Sequence, residues 1–272
     1  MNKIFSLKDP LGFLNKTSKS LKVIFADYIA SVPGSFDGLV YIKLFENAGY
    51  LFLNHELPYP EGAVTRLTYH NGAIIKNRIW KKNLARPCSS HKTPWNTILT
   101  NEEFMSDNKE LGFVYELDPH NINNYKKLKR LGRMWHENTL PVPDDSVPGG
   151  YYFLTTDDRS QIDEGGSLYK FVPDNSQDLT KGNLYVYQTE IQDGWLKNKL
   201  NGHWFKINDP INIKENNDEG TPYYKMEDLE YNPVDKCVYI CVGGMKDGNL
   251  GGIYKFNTLD NTMERWLKCE ET

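Results

Sequence analysis

Gly166-Ser-Leu-Tyr-Lys-Phe171 is a glycine followed by an aliphatic–tyrosine core, with a Pro173-Asp174 turn just behind it. The same core returns in Gly112-Phe-Val-Tyr-Glu-Leu117, in Gly182-Asn-Leu-Tyr-Val-Tyr187 and, one residue shorter, in Gly252-Ile-Tyr-Lys-Phe256. Aliphatic and aromatic residues suit a half-buried pleated surface, and glycine with Asp-Pro or Pro-Asp breaks it into strand and turn. The spacing is irregular, so no tidy array is implied. A strand–turn unit that recurs four times nevertheless predicts the blades of a β-propeller. Shared β-propensity in any all-β chain gives a similar look, and the rest of the sequence must arbitrate.

Outward from these segments the pattern stays all-β. Leu21–Phe25, Leu39–Phe45, Tyr50–Leu53, Ala63–Tyr69 and Ala73–Ile75 read as strands, and His70-Asn71-Gly72 as a hairpin turn, since Asn-Gly tolerates positive φ. Residues 7–20 read as a short helix or a segment wrapped around the domain. About sixteen strands in all, at four per blade, predict about four blades in a single domain spanning residues 1–272, with 1–20 as the wrapping segment. The Pro- and Gly-rich 141–150 and the polar Asn212–Gly220 read as loops, not linkers.

Composition narrows the function classes. Hydrophobic residues make up 39% and charged residues 25% of 272, ordinary for a globular chain, and 17 tyrosines favour strands. A formal net charge of −4 leaves no basic footprint for nucleic acid. No stretch reaches the ~18 apolar residues of a membrane span. Met1–Ser20 has several lysines but neither an apolar core nor a small-residue cleavage site, so it does not read as a signal peptide. Cys88, Cys237, Cys241 and Cys269 show no zinc spacing and no disulfide framework. Cys237 and Cys241 flank one strand on one face and read as buried thiols.

The chemistry concentrates in Cys88-Ser-Ser-His-Lys-Thr-Pro-Trp-Asn-Thr-Ile-Leu-Thr-Asn-Glu102-Glu103. A thiol in a polar turn opens the stretch and two carboxylates close it. Thiolate suits iron or zinc, and carboxylates suit calcium, magnesium or oxidised iron. Alternation sends Glu102 and Glu103 to opposite faces, one toward a site and one behind it. On spacing alone, a surface loop with a buried Cys and solvated acids is the better reading. Further acids sit at strand ends: Asn54-His55-Glu56, His136-Glu137, Thr156-Asp157-Asp158 and Glu227-Asp228, with Glu164 a weaker candidate. Asp157-Asp158 could supply calcium or simply close a turn on its own backbone. Neither His-Glu pair is followed by the second His of a zincin helix, and no Gly-x-Ser-x-Gly elbow or Walker A loop is present.

Cys88, Ser89, Thr93, Pro94, Trp95, Thr97, Leu99, Thr100, Glu102 and Glu103 resemble the signature of the PhoX-type alkaline phosphatases, a secreted bacterial β-propeller family. Its typical pattern runs Cys-Ser-Gly-Gly, Thr-Pro-Trp, Leu-Thr-Cys-Glu-Glu. Ser90 and His91 stand here for the glycines and Asn101 for the second Cys. Asn54-His55-Glu56, Gly132-Arg133…His136-Glu137 and Lys225-Met226-Glu227-Asp228 resemble further family elements, in order along the chain, although Lys225-Met226 replaces Arg-Pro. The resemblance implies a metal-dependent phosphoric ester hydrolase with an iron–calcium cluster. Cys88, Glu56, Glu103, Glu137 and Glu227 would hold the metals, with Asp157 and Asp228 nearby. Lys225, Thr93 and His91 would contact a small phosphorylated substrate, His136 would orient Glu137, and Trp95 would pack beneath. Lys offers phosphate a point charge where Arg offers a planar fork. The resemblance also implies export and a monomer, unless the ring is incomplete. Two readings compete: a degenerate, non-catalytic metal-binding propeller or scaffold, and a calcium-dependent lactonase or phosphotriesterase.

Overall fold

Seventeen strands run through the described residues of the computed structural model, which are 35–106, 110–159, 165–175, 177–189, 199–213, 220–243 and 251–268. Four antiparallel meanders account for sixteen of them. The first blade holds β1 (Phe36–Phe45), β2 (Ala48–His55), β3 (Gly62–His70) and β4 (Ala73–Leu84). The second holds β5 (Pro87–Lys92), β6 (Ile98–Glu102), β7 (Val114–Leu117) and β8 (Tyr125–Lys127). In the third are β9 (His136–Pro143), β10 (Tyr151–Asp157), β11 (Leu168–Pro173) and β12 (Gly182–Thr189). The fourth comprises β14 (Met226–Asn232), β15 (Cys237–Val242), β16 (Gly252–Asn257) and β17 (Thr262–Lys268). The remaining strand, β13 (Leu200–Lys206), pairs with β12 and, through Leu200↔Met263 and Asn201↔Thr262, with β17. It joins the third and fourth blades at their outer edges into one nine-stranded sheet.

The recurring tyrosine segments now have a structural meaning. Those at Gly112, Gly166 and Gly252 form the third strands of the second, third and fourth blades, and the one at Gly182 forms the fourth strand of the third blade. Tyr115, Tyr169 and Tyr254 are all buried. In the first blade the third strand carries Val64 and Leu67 instead, which is why the repeat was invisible there.

Blades pack face to face. Val40, Ile42, Phe52 and Trp80 of the first meet Ile98, Phe113 and Tyr115 of the second. Leu99 and Val114 of the second meet Phe153, Tyr169 and Phe171 of the third. Leu140, Tyr152 and Leu154 of the third meet Met226, Ile240 and Tyr254 of the fourth. Burial of aromatic and branched side chains on both faces of a sheet supplies most of the favourable free energy here. The first strands, β1, β5, β9 and β14, pack side by side in that order.

Several expectations are corrected. Cys88 lies inside β5, not in a turn. Cys241 is exposed and Cys237 buried, although both lie on the face of β15 that points away from the third blade. The Asn71-Gly72 turn forms as expected, with both residues at positive φ between His70 and Ala73. Residues 1–34, which include the expected wrapping segment and the Leu21–Phe25 strand, lie outside the described residues, as do Glu164, residues 214–219 and Cys269. No helix among the described residues is long and apolar enough to cross a membrane.

Candidate active site

One register rule positions the polar side chains. In each meander the start of the first strand lies beside the end of the second, through the pairs Phe36↔His55, Pro87↔Glu102, His136↔Asp157 and Met226↔Val242. Just past each pair, a backbone hydrogen bond repeats: Glu56 N to Ser35 O, Glu103 N to Arg86 O, Asp158 N to Trp135 O and Gly243 N to Lys225 O, at 2.8–3.0 Å. The residues that follow the paired positions are therefore blade-equivalent. On the first strands they are Asp37, Cys88, Glu137 and Glu227; after the second strands they are Glu56, Glu103, Asp158 and Gly243. Seven of these eight are acids or a thiol.

Ligand atoms of Asp37, Cys88 and Glu137 lie within 4.8 Å of one another, as do those of Glu103, Glu137 and Asp158. Glu137 belongs to both groups. Cys88 Sγ donates to Glu137 Oε1 at 3.0 Å, and Ser89 Oγ lies 3.3 Å from the same oxygen. Asp228, solvent-exposed, accepts from Ser89 Oγ and from Asn138 Nδ2 (2.8 Å). Lys225 Nζ sits 2.8 Å from Glu227 and 3.3 Å from Asp158. Arg86 Nη2 sits 2.6 Å from Glu56 and 3.9 Å from Glu103.

Burial dominates the electrostatics. It pushes the Glu137 carboxyl up to about 9, with Glu103, Glu227 and Asp158 adding repulsion. Burial, then the neighbouring Asp158, raises Glu103 to about 8. Asp158 and Asp37 are raised mainly by burial as well, and burial with Glu137 pushes the Cys88 thiol far up. Carboxyls this crowded stay protonated unless cations offset their repulsion. Asp158 meets Glu103 through a carboxyl–carboxyl hydrogen bond, which holds only while one of the two keeps its proton. Hard oxygens around one thiol, with more acids than Lys225 and Arg86 can offset, together fit a metal-binding site.

Other predicted residues are placed elsewhere. Asp157 is wholly buried and ion-paired with Arg159 Nε at 2.8 Å, so the register gives the site Asp158 in its stead. Thr93 is fully buried and spends its hydroxyl on Thr97 Oγ1 (2.7 Å) inside its own turn. His91 lines a cleft with Asp228 and Glu230 and is held against the Leu229 carbonyl; burial lowers its pKa. His136 does not orient Glu137: its ring bonds Thr155 Oγ1 (2.9 Å) and Gly132 O (3.1 Å) on the opposite face, and full burial lowers its pKa to about 4. Glu102 turns from the site and accepts the backbone N–H groups of Ala85, Gly112 and Phe113. Trp95 donates to Glu116 at 2.7 Å and packs edge-on against Phe153. Asn54 braces the Cys88 and Ser89 carbonyls, and Asn101 ties Ser89 O to Thr139 Oγ1, stitching β5 to its neighbours.

Sequence reasoning missed Asp37, Arg86 and the preference for Asp158. Asp37 lay just before the recognised Leu39–Phe45 run, and strand-end alignment between blades was the signal that would have found all three. A glycine guards this geometry. A Cβ on Gly166 would lie 1.6 Å from the Asp157 carbonyl, and the Gly166 N–H and carbonyl both bond Tyr223 at 2.7 Å. Gly166→Ala is expected to displace the 157–159 turn and cost about 3 kcal/mol, read as a lowered urea midpoint.

No curated protein matches the sequence. Among solved structures, the chain is similar to Pseudomonas fluorescens PhoX in complex with vanadate, described as a transition-state analogue. The TM-score is 0.67 at 17% identity, with 85% of this chain and 66% of that chain covered. At that identity the likeness carries the propeller fold. The family model described as Alkaline phosphatase PhoX matches residues 82–258, well over half of the sequence, and the chain belongs to that family.

Proposed function

We propose that the protein is a metal-dependent phosphoric ester hydrolase of the alkaline-phosphatase type. The observation that carries the reading is Glu137, buried and shared between two groups of ligand atoms on neighbouring blades. Asp37, Cys88 and Glu137 would hold one cation, and Glu103, Glu137 and Asp158 another; Glu56, Glu227 and Asp228 extend the acidic rim. Iron and calcium are the metals the family resemblance implies, and a thiol among carboxylates suits that pair. Bound cations would supply charge stabilisation at phosphorus and lower the pKa of water.

The chain's own residues do the rest. Lys225 presents a cation beside Asp158 and Glu227 for a phosphoryl oxygen; burial alone would lower its pKa, but those two acids outweigh it and keep the ammonium charged. Ser89 fixes Glu137 and Asp228 at once, and Asn138 holds Asp228 from the other side. Asn54 locks the backbone on which Cys88 sits. Glu103 and Glu137 hold protons when no cation is present and release them when one binds, so loading acidifies the medium.

Elemental analysis and 4-nitrophenyl phosphate hydrolysis test this directly, on wild type and Cys88→Ala. Metal in the wild type, turnover, and a fall of about 10²-fold or more on removing the thiolate are the expected results. A folded protein that takes up no cation and turns over no ester sinks the reading.

A further inference from the structure

We propose that Arg86 is a second phosphoryl-binding residue, acting with Lys225; the inference rests on the phosphatase reading and names how its substrate is held. Arg86 was not among the residues that the motifs single out, and three observations place it there.

The first is equivalence. Arg86 and Lys225 occupy the same position in the second and fourth blades: each immediately precedes the paired start of a first strand, and each carbonyl accepts the N–H of the residue just past the second strand. Each also reaches the same target. Arg86 bonds Glu56, the post-β2 acid of the preceding blade, and Lys225 contacts Asp158, the post-β10 acid of its preceding blade. Ser35 and Trp135 fill that position in the first and third blades, so the cations alternate around the described blades.

The second is the backbone. Arg86 and Lys225 both sit at positive φ, +47° and +53°. Of the eight non-glycine residues with positive φ, Asn71, Asn83, Asn96 and Asn261 belong to the type that tolerates it best. Long cationic side chains pay a steric cost there; Lys236, in the turn between β14 and β15, is a third such cation, so the strain accompanies the position of Arg86 and Lys225 without by itself marking a site.

The third is the unfinished hydrogen bonding. Arg86 Nε (3.0 Å) and Nη2 (2.6 Å) both grip one oxygen, Glu56 Oε1. Arg86 Nη1 and Glu56 Oε2 make no hydrogen bond among the described residues, and the Arg86 side chain is 42% exposed. A planar guanidinium with a free corner beside an acidic metal-binding group is suited to fork two oxygens of a tetrahedral phosphoryl dianion. Were a bound cation to take over the Glu103 carboxylate, Arg86 would keep only Glu56 as a partner, and its unused Nη1 would be open to a phosphoryl oxygen.

The alternative is a counter-ion that only neutralises Glu56, and one variant separates the two. Asn and Gly accept φ near +47°, so Arg86→Asn removes the cation without adding backbone strain. With metal-loaded protein, kcat and KM for 4-nitrophenyl phosphate, the inhibition constant of inorganic phosphate and the metal content are measured together. Arg86→Asn is expected to keep its metal while KM and the phosphate inhibition constant rise about tenfold or more, with Arg86→Lys restoring part of the loss. Unchanged phosphate inhibition in Arg86→Asn overturns the proposal, as does a loss of activity that only follows a loss of metal. A metal-loaded wild type that neither hydrolyses the ester nor binds phosphate overturns the phosphatase reading and this one with it.

Discussion

Glu137→Gln is expected to empty both proposed cation positions at once and to lower kcat/KM by about 10³-fold or more. The side chain is shared by two groups of ligand atoms, so neither group can keep a full set without it. Glutamine preserves the shape and can still accept from Cys88 Sγ and Ser89 Oγ, which isolates the missing charge. Folding should survive. Burial already holds the Glu137 carboxyl neutral up to about pH 9, and an amide is a fair copy of a protonated acid. Glu102→Gln is the informative contrast. That side chain accepts three backbone N–H groups away from the site, so its loss should lower the melting temperature and spare the metal content. Elemental analysis and thermal melts of the two variants check both halves. Full metal and full turnover in Glu137→Gln would remove the shared carboxylate from the mechanism.

The second large effect is a pH dependence of the chelator-treated protein. Glu137 and Glu103 have folded pKa values of about 9 and about 8, raised from the ordinary 4.5 first by burial. Between 4.5 and those values the unfolded chain has lost protons that the folded chain still binds, so the slope of stability against pH is negative. The contribution is complete below about pH 4.5, declines as pH rises, and is gone above pH 8–9. Because the two groups are coupled, the combined loss is of the order of 5 kcal/mol, not the sum of two independent shifts. At this chain length that is a fall of roughly 10 °C in melting temperature between acidic and alkaline buffer. Cation-loaded protein should show the opposite trend, since metal competes with protons for the same oxygens. A chelated protein whose melting temperature is flat from pH 5 to 9 would mean that these acids are solvated.

How much of this was legible beforehand can be traced residue by residue. The tyrosine segments named the blades because a buried third strand repeats one packing problem and tends to repeat its solution. Cys88, Glu103 and Glu137 were visible through local motifs, since each is fixed by residues beside it in sequence. Asp37 and Arg86 were not, because what defines them is alignment across hairpins of different length. Asp157 and Asp158 show the limit most clearly: two identical neighbours differ only in which face the register assigns them, and that is decided by the His136↔Asp157 pair on another strand. Thr93 and His136 looked functional for their chemistry and are held instead by structural partners: Thr97 within the same tight turn, and for His136 the local Gly132 carbonyl with Thr155 on the paired strand.

The blade-equivalent register also bears on how such a centre changes over time. Each blade offers one slot at the start of its first strand and one past the end of its second, and the backbone that frames a slot is the same whatever side chain fills it. A ligand can therefore be gained, lost or softened by one substitution, without remodelling a loop. Gly243 is the slot left without a donor: its φ is not in the left-handed region, and an added Cβ would stand 3.0 Å from the Lys225 Cβ. Cys88 is the slot filled by sulfur where the others carry oxygen. The number and hardness of the cations such a centre would hold thus depend on which side chains fill the slots, and not on the scaffold.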